Sequence, residues 1–246
     1  MSDTPRVLNR RLAEAIAHYW RTREQQGKKQ GSVSGVKDYG ARAAVTGGAH
    51  MDGFIVMLSE LIQEAGVDAK HIFYKQSLQL PGFFRATKEW DLLVVRDGEL
   101  ILALEVKSQV GPSFGNNFNN RTEEAMGSAL DLWTAFREGA FNKTVKPWLG
   151  YMFLLEDCAQ SQRPVSNKEP HFKVFPEFNG ASYAKRYELF CRKLMRERHY
   201  SAAAFLTASK DGGLKGEYRE PAEDLTFDLF ARSLVAQVAA FGKGAS

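Results

Sequence analysis

Apolar residues recur along this chain at changing intervals, and each change of interval marks a new element. Within residues 5–23 they fall at Val7, Leu8, Leu12, Ile16 and Trp20, the three-and-four step that lines one face of a helix. Thr4 precedes Pro5 as an N-cap would, and proline is tolerated at a first helical position because its missing N–H has no partner there. A helix is therefore predicted over residues 5–23. The same step returns at Phe54, Leu58, Leu61, Ile62 and Ala65, with Gly66 placed to stop the helix and Glu60 and Glu64 on its opposite face. Residues 71–80 then read as a strand closed by Pro81-Gly82. Residues 89–95 and 99–107 flank Asp97-Gly98, the dipeptide of a tight hairpin, and both arms are apolar on both faces, as strands covered by helices on either side must be. Asn120 and Glu123 fit a capping box at the start of a second long helix, whose Ala125, Met126, Ala129, Leu132, Trp133 and Phe136 keep helical spacing up to Gly139. Residues 148–156, WLGYMFLLE, form another buried strand.

Later segments add to this core. Residues 157–181 hold three prolines and no period, so a long excursion is expected. A basic helix over residues 182–199, a short strand over 202–207 and a terminal helix over about 224–241 follow, the last with Phe227, Phe230, Leu234, Val238 and Phe241 in step. The order of helix, three strands, helix and strand gives an α/β fold with an αβββαβ core, a mixed central sheet flanked by helices, and N- and C-terminal helical additions. If the last two core strands run parallel, the connection between them should be right-handed. At 246 residues the chain reads as one domain: an N-terminal helix (1–26), an arm (27–50), a core (51–156) and an extension carrying the basic helix (157–246). The arm has little apolar pattern, and residues 27–48 hold six glycines.

Composition removes several classes. There are two cysteines, Cys158 and Cys191, with no CxxC pair and no histidine cluster at zinc spacing, so neither a disulfide framework nor a structural zinc site is supported. No apolar signal core opens the chain and no run of 18 apolar residues occurs, so a soluble cytoplasmic protein without membrane partners is expected. The phosphate-binding pattern GxxxxGK[ST] is absent, which leaves nucleotide hydrolysis little support. Lys and Arg exceed Asp and Glu by 33 to 29, a formal +4 that permits a polyanionic partner without demanding one. Residues 183–200 carry six Lys or Arg against two Glu.

Charge in the middle of the chain is more specific. Asp91 opens the second predicted strand, the hairpin's first arm, and the partner strand ends in Glu105-Val106-Lys107. Only one other lysine has an acid two residues before it, Lys70 after Asp68, and that pair falls in a predicted loop. An aspartate followed by acid-x-Lys on adjoining strands resembles the PD-(D/E)xK nuclease superfamily, with Trp90 where the proline would stand. The resemblance implies phosphodiester hydrolysis. Mg²⁺, a hard cation that keeps several waters, needs few protein oxygens, and Asp91, Glu105 and the Val106 carbonyl would supply them. Lys107 would orient the attacking water and oppose the phosphate charge. The alternative is a strand-end ion pair with Asp91 capping the hairpin. Register sets a condition: a two-residue turn pairs Arg96 with Glu99 and Asp91 with Leu104, sending Asp91 to the wrong face. A bulge or a three-residue loop is therefore expected. Glu60 is a further acid, with a surface position the favoured reading.

Directly after the acid-x-Lys come SQVGPSFGNNFNNR and a helix beginning EEA. The combination of EVKSQ, the NNFNNR loop and that helix resembles the XhoI family of type II restriction endonucleases. The resemblance implies a homodimer that uses Mg²⁺ to cut double-stranded DNA at the palindrome CTCGAG, leaving 5′ overhangs, beside a cognate DNA methyltransferase of the same restriction-modification system. Asn116, Asn117, Asn119, Asn120 and Arg121 are residue types that read base edges, although asparagines also make turns and cap helices. Lys185, Arg186 and Arg192 on the basic helix are candidates for phosphate contact, the alternative being a solvated face. A repair or recombination nuclease and a non-catalytic DNA-binding module remain the competing readings.

Overall fold

The chain's first apolar stripe folds into helix α1 (Pro5–Gly31), whose Leu8, Leu12, Ile16 and Trp20 are buried. The structure, a computed structural model, describes residues 5–31, 49–142 and 145–242. Helix α1 runs past residue 23 because Glu24, Gln25, Gln26 and Lys28 favour helix, and Lys28 pairs with Glu24 at 3.5 Å one turn away. Of the arm predicted at 27–50, residues 32–48 lie outside the described ones. Ala49–Met51 form a 3-10 turn into α2 (Asp52–Glu64). Phe54, Leu58, Leu61 and Ile62 of α2 face the core, Glu60 is exposed, and Glu64 accepts a 2.6 Å contact from Arg11 of α1.

Seven strands follow among the described residues: β1 (Ile72–Phe73), β2 (Gln79–Pro81), β3 (Thr87–Glu89), β4 (Leu92–Arg96), β5 (Glu99–Gln109), β6 (Trp148–Glu156) and β7 (Ala202–Ala208). Five of them form one sheet in the order β1-β4-β5-β6-β7. Pairing is antiparallel from β1 to β5 and parallel from β5 to β7, so the sheet is mixed, as expected. Strands β2 and β3 make a separate hairpin in the register Gln79↔Glu89, Leu80↔Lys88 and Pro81↔Thr87. Two predicted strands are therefore each split in two. Residues 71–80 divide between β1 and β2 around Ser77, whose φ is 59°, and residues 89–95 divide between β3 and β4 at Trp90-Asp91. Local pattern could not show this, because every piece has strand chemistry and only the choice of partner separates them.

Helix α3 (Phe114–Arg137), the short α4 (Ala159–Gln162), α5 (Tyr183–Arg196), the short α6 (Lys210–Gly213) and α7 (Phe227–Gly242) complete the described chain. Helix α5 is capped by Ser182, whose hydroxyl accepts from the Lys185 N–H at 3.2 Å. Helix α7 begins at Phe227 because Glu223–Leu225 is a 3-10 turn. The two sheet faces bury separate cores. Leu92, Val94, Leu102, Leu104, Val106, Met152 and Leu154 pack with apolar residues of α1, α2 and α7. Leu93, Ala103, Tyr151, Phe153 and Phe205 pack with those of α3 and α5. No helix among the described residues is long and apolar enough to cross a membrane.

Candidate active site

One irregularity of the sheet decides the site. The β4–β5 hairpin turns tightly, with Arg96 opposite Glu99 and Val95 opposite Leu100, but Val94 then pairs with Leu102. Ile101 is the extra residue of a β-bulge, and the consecutive Ile101 and Leu102 both join the core against α1, α2 and α7. The turn is thus the two-residue form, and the bulge restores the parity that this turn would have broken. Leu92 pairs with Leu104, so Asp91, one residue before, comes to the face that carries Glu105, Lys107 and Gln109.

The groups meet there at bonding distance. Asp91 Oδ2 accepts from the Val106 N–H at 2.7 Å and from Lys107 Nζ at 3.0 Å. Lys107 Nζ also lies 3.2 Å from Glu105 Oε1. Two residues that sequence reasoning did not select complete the cluster. Lys88 of β3 donates from Nζ to Glu105 Oε1 at 3.0 Å and lies 4.3 Å from the centre of the Trp90 ring. Tyr200, between α5 and β7, donates its hydroxyl to Glu105 Oε2 at 3.1 Å and lies equally near the Ala125 carbonyl. No sequence signal links Tyr200 to Glu105, whereas Lys88 carried a weak one as a basic residue three before Asp91.

Burial and charge oppose each other in this cluster. Glu105 is only 3% exposed, which pushes its carboxyl up, but the ammonium groups of Lys107 and Lys88 outweigh burial and hold it below the usual carboxylate range. Burial pushes Lys107 down, yet Glu105 and Asp91 prevail and raise it above the ordinary lysine value. Lys107 is therefore an ammonium at neutral pH beside these carboxylates, and its chemistry in this arrangement is that of a hydrogen-bond donor and positive charge. Replacing Tyr200 with phenylalanine should lower stability by about 1–3 kcal/mol in urea denaturation, because Glu105 Oε2 stays buried without that donor. A loss below about 0.5 kcal/mol would show that the hydroxyl is not holding the carboxylate.

Asp91 and Glu105 suit a hard cation by donor type. In an extended strand the C=O of a residue points to the same edge as its N–H, so the Val106 carbonyl shares the Asp91 side. Among the described residues no group of three His, Cys, Asp or Glu gathers for a metal, so two carboxylates and a carbonyl are what the site offers. That set fits Mg²⁺, which is held by one or two carboxylates with water and substrate oxygens. The other acid-x-Lys is a turn: Asp68 accepts from the Lys70 N–H at 3.0 Å and pairs with its ammonium at 3.2 Å.

Comparison with known proteins gives the family. A family model described as restriction endonuclease XhoI matches residues 29–220. This chain belongs to the XhoI restriction endonuclease family. It is 56% identical over 208 residues to the type II restriction enzyme BstVI of Geobacillus stearothermophilus, covering 82% of this chain and 93% of that protein. It is 50% identical over 158 residues to the type II restriction enzyme XhoI of Xanthomonas vasicola, 63% of this chain and 64% of that one. The type II restriction enzyme AbrI of Azospirillum brasilense is 47% identical over 165 residues, 67% and 73% of the two chains. No solved structure matches.

In this XhoI-family chain the expected NNFNNR loop after the acid-x-Lys is helix. Helix α3 starts at Phe114, not at Asn120, because Phe114 and Phe118 pack on α5 at 5.9 Å from the Tyr183 ring and 4.9 Å from the Tyr187 ring. Phe114, Phe118, Ala125, Ala129 and Leu132 are in helical step, so the signal was present and the capping-box pattern displaced it. Gln109 (3% exposed) ties β5 to this helix, donating to the Phe114 carbonyl at 3.2 Å and accepting from the Tyr187 hydroxyl. Asn116, Asn119 and Asn120 are exposed on the first turns of α3, Asn117 is half-buried, and Arg121 pairs with Glu124 at 2.6 Å.

The basic helix is more tightly paired than its composition suggests. Lys185 lies 2.6 Å from Glu188, Arg186 donates to Asn167 at 2.6 Å and Arg192 forks onto Asp224 at 2.6 and 2.8 Å. Those partners are what a solvated, internally paired face looks like, and a phosphate would have to displace them.

Proposed function

We propose that this XhoI-family type II restriction endonuclease cuts both strands of duplex DNA at CTCGAG with Mg²⁺, leaving 5′ overhangs. The observation that carries the chemistry is the meeting of Asp91, Glu105 and Lys107 on one face of the bulged hairpin. The six-base site rests on likeness to the family alone.

Asp91, Glu105 and the Val106 carbonyl would hold the cation. When bound, it supplies positive charge to the scissile phosphate and lowers the pKa of water. Lys107 does what an ammonium can do: it donates to the attacking water, lines it up with phosphorus and offsets the charge that the phosphoryl oxygens gain. The Val106 N–H fixes Asp91 Oδ2, and Tyr200 fixes Glu105 Oε2, so both carboxylates are oriented before DNA arrives.

Asn116, Asn117, Asn119, Asn120 and Arg121 lie at the start of α3, and their amide and guanidinium groups can read base edges in the major groove. Lys185, Arg186 and Arg192 contact phosphate if DNA replaces their present partners. A palindromic site calls for a two-fold homodimer, each subunit cutting one strand, and a cognate methyltransferase protects the host's own copies.

Digestion of a plasmid bearing one CTCGAG tests the reading. One linear product in Mg²⁺, and intact plasmid in a chelator, are expected. Random nicks would point to a repair-type nuclease, and no cutting under any divalent cation would point to a binding module.

A further inference from the structure

Lys88 is unlike an ordinary surface lysine. Its side chain is only 12% exposed, and its ammonium lies 3.0 Å from Glu105 Oε1, 3.0 Å from the Glu89 carbonyl and 4.3 Å from the centre of the Trp90 ring. It stands on the β2–β3 hairpin, whose tip is tied to the core through Asp131. Its position is therefore built by the fold.

Glu105 Oε1 accepts from this ammonium and also lies 3.2 Å from that of Lys107, so two positive charges stand beside the one oxygen a cation would need. Oε2 faces inward to the buried Tyr200 hydroxyl. A divalent cation can reach Oε1 only if one ammonium withdraws. Lys107 is also bonded to Asp91, at 3.0 Å, whereas Lys88 pairs with no second carboxylate among the described residues. Two carboxylates and two ammonium groups sum to zero, so the DNA-free cluster neutralises itself and attracts a dication weakly.

We propose that Lys88 is a positioning residue that competes with the divalent cation for Glu105 and so makes cation binding depend on DNA. A backbone phosphate brought to the site offers the Lys88 ammonium another partner, frees Glu105 Oε1 and supplies an oxygen to the cation. Each ligand then favours the other by the same factor. The role rests on the metal-dependent reading above.

Calorimetry with Ca²⁺ alone, on the full-length protein without DNA, tests it. K88M should bind Ca²⁺ about tenfold more tightly than the wild type, K88R should stay within about twofold of the wild type, and the gain in Ca²⁺ affinity on adding a CTCGAG duplex should shrink in K88M. A merely structural lysine would lower the melting temperature and leave Ca²⁺ affinity unchanged or weaker, and that result overturns the proposal. Should K88M not fold, amine acylation of the wild type read by mass spectrometry decides: saturating Ca²⁺ should raise labelling of Lys88 several-fold relative to Lys70, whose side chain is 70% exposed. Unchanged Lys88 labelling overturns the proposal. If the wild type binds no Ca²⁺ even with the duplex, the metal assignment falls, and the Lys88 role with it.

Discussion

Replacing Lys107 with alanine is expected to slow cutting by orders of magnitude while sparing DNA binding. With Ca²⁺ in place of Mg²⁺, duplex affinity in a gel shift should stay within about threefold of the wild type, because one ammonium is a small part of a DNA interface. Single-turnover cleavage in Mg²⁺ should fall by about 10²–10³-fold, the usual contribution of one preorganised donor at the reacting atoms. The reason lies in what Lys107 touches. Its Nζ bridges Asp91 Oδ2 at 3.0 Å and Glu105 Oε1 at 3.2 Å, the only ammonium among the described residues shown touching both. Lys88 cannot take over, since it reaches Glu105 alone from the other hairpin. Cutting at the wild-type rate would remove Lys107 from the mechanism and leave the strand-end ion pair as its role.

The second large effect is on stability and comes from Asp131. This side chain of α3 is 2% exposed, yet it accepts from the Phe83 N–H at 2.6 Å, the Phe84 N–H at 2.8 Å and Arg85 Nε at 2.9 Å. It thereby holds the tip of the β2–β3 hairpin, and a Cβ on Gly82 would collide with its carboxylate, so glycine is required there. Asp131→Ala leaves those donors without their acceptor and should cost about 3 kcal/mol at pH 7, read from urea denaturation. Burial pushes the Asp131 carboxyl up, but Arg85 and the backbone N–H groups outweigh it and leave it below the ordinary aspartate value. A depressed carboxylate stabilises fully above its unfolded pKa and loses that contribution as pH falls through the folded one. The gap between wild type and variant should therefore be full above about pH 4 and shrink as pH drops below it. A gap that stays constant down to pH 2.5, or one under about 1 kcal/mol at pH 7, would show that the charge of Asp131 is not what anchors the tip.

Several elements were legible because they depend on local spacing. The α1 and α2 stripes, the buried run of β6 and the terminal helix follow from which residues can share an apolar face, and the observed elements keep those faces. The acid-x-Lys on a strand was legible for the same reason, and the parity of side chains along a strand called for a bulge or a three-residue loop, of which pairing then gave the bulge at Ile101.

Other features depended on partners remote in the chain. The NNFNNR segment has a local cap pattern, yet Phe114 and Phe118 find Tyr183 and Tyr187 of α5, and their packing draws the segment into α3. The runs at 71–80 and 89–95 look like single strands until β2 and β3 pair with each other outside the main sheet. The basic helix looks free for phosphate until Asp224 and Asn167 close on it.

By itself the sequence determined the apolar faces, the strand that carries Glu105-Val106-Lys107 and the need for an irregular hairpin to bring Asp91 beside it. The tertiary structure decided where the bulge falls and that Lys88 and Tyr200 close on Glu105. Spacing reports which side of a segment avoids water, but a carboxylate's partners are set by which distant elements the packed cores bring to bonding distance.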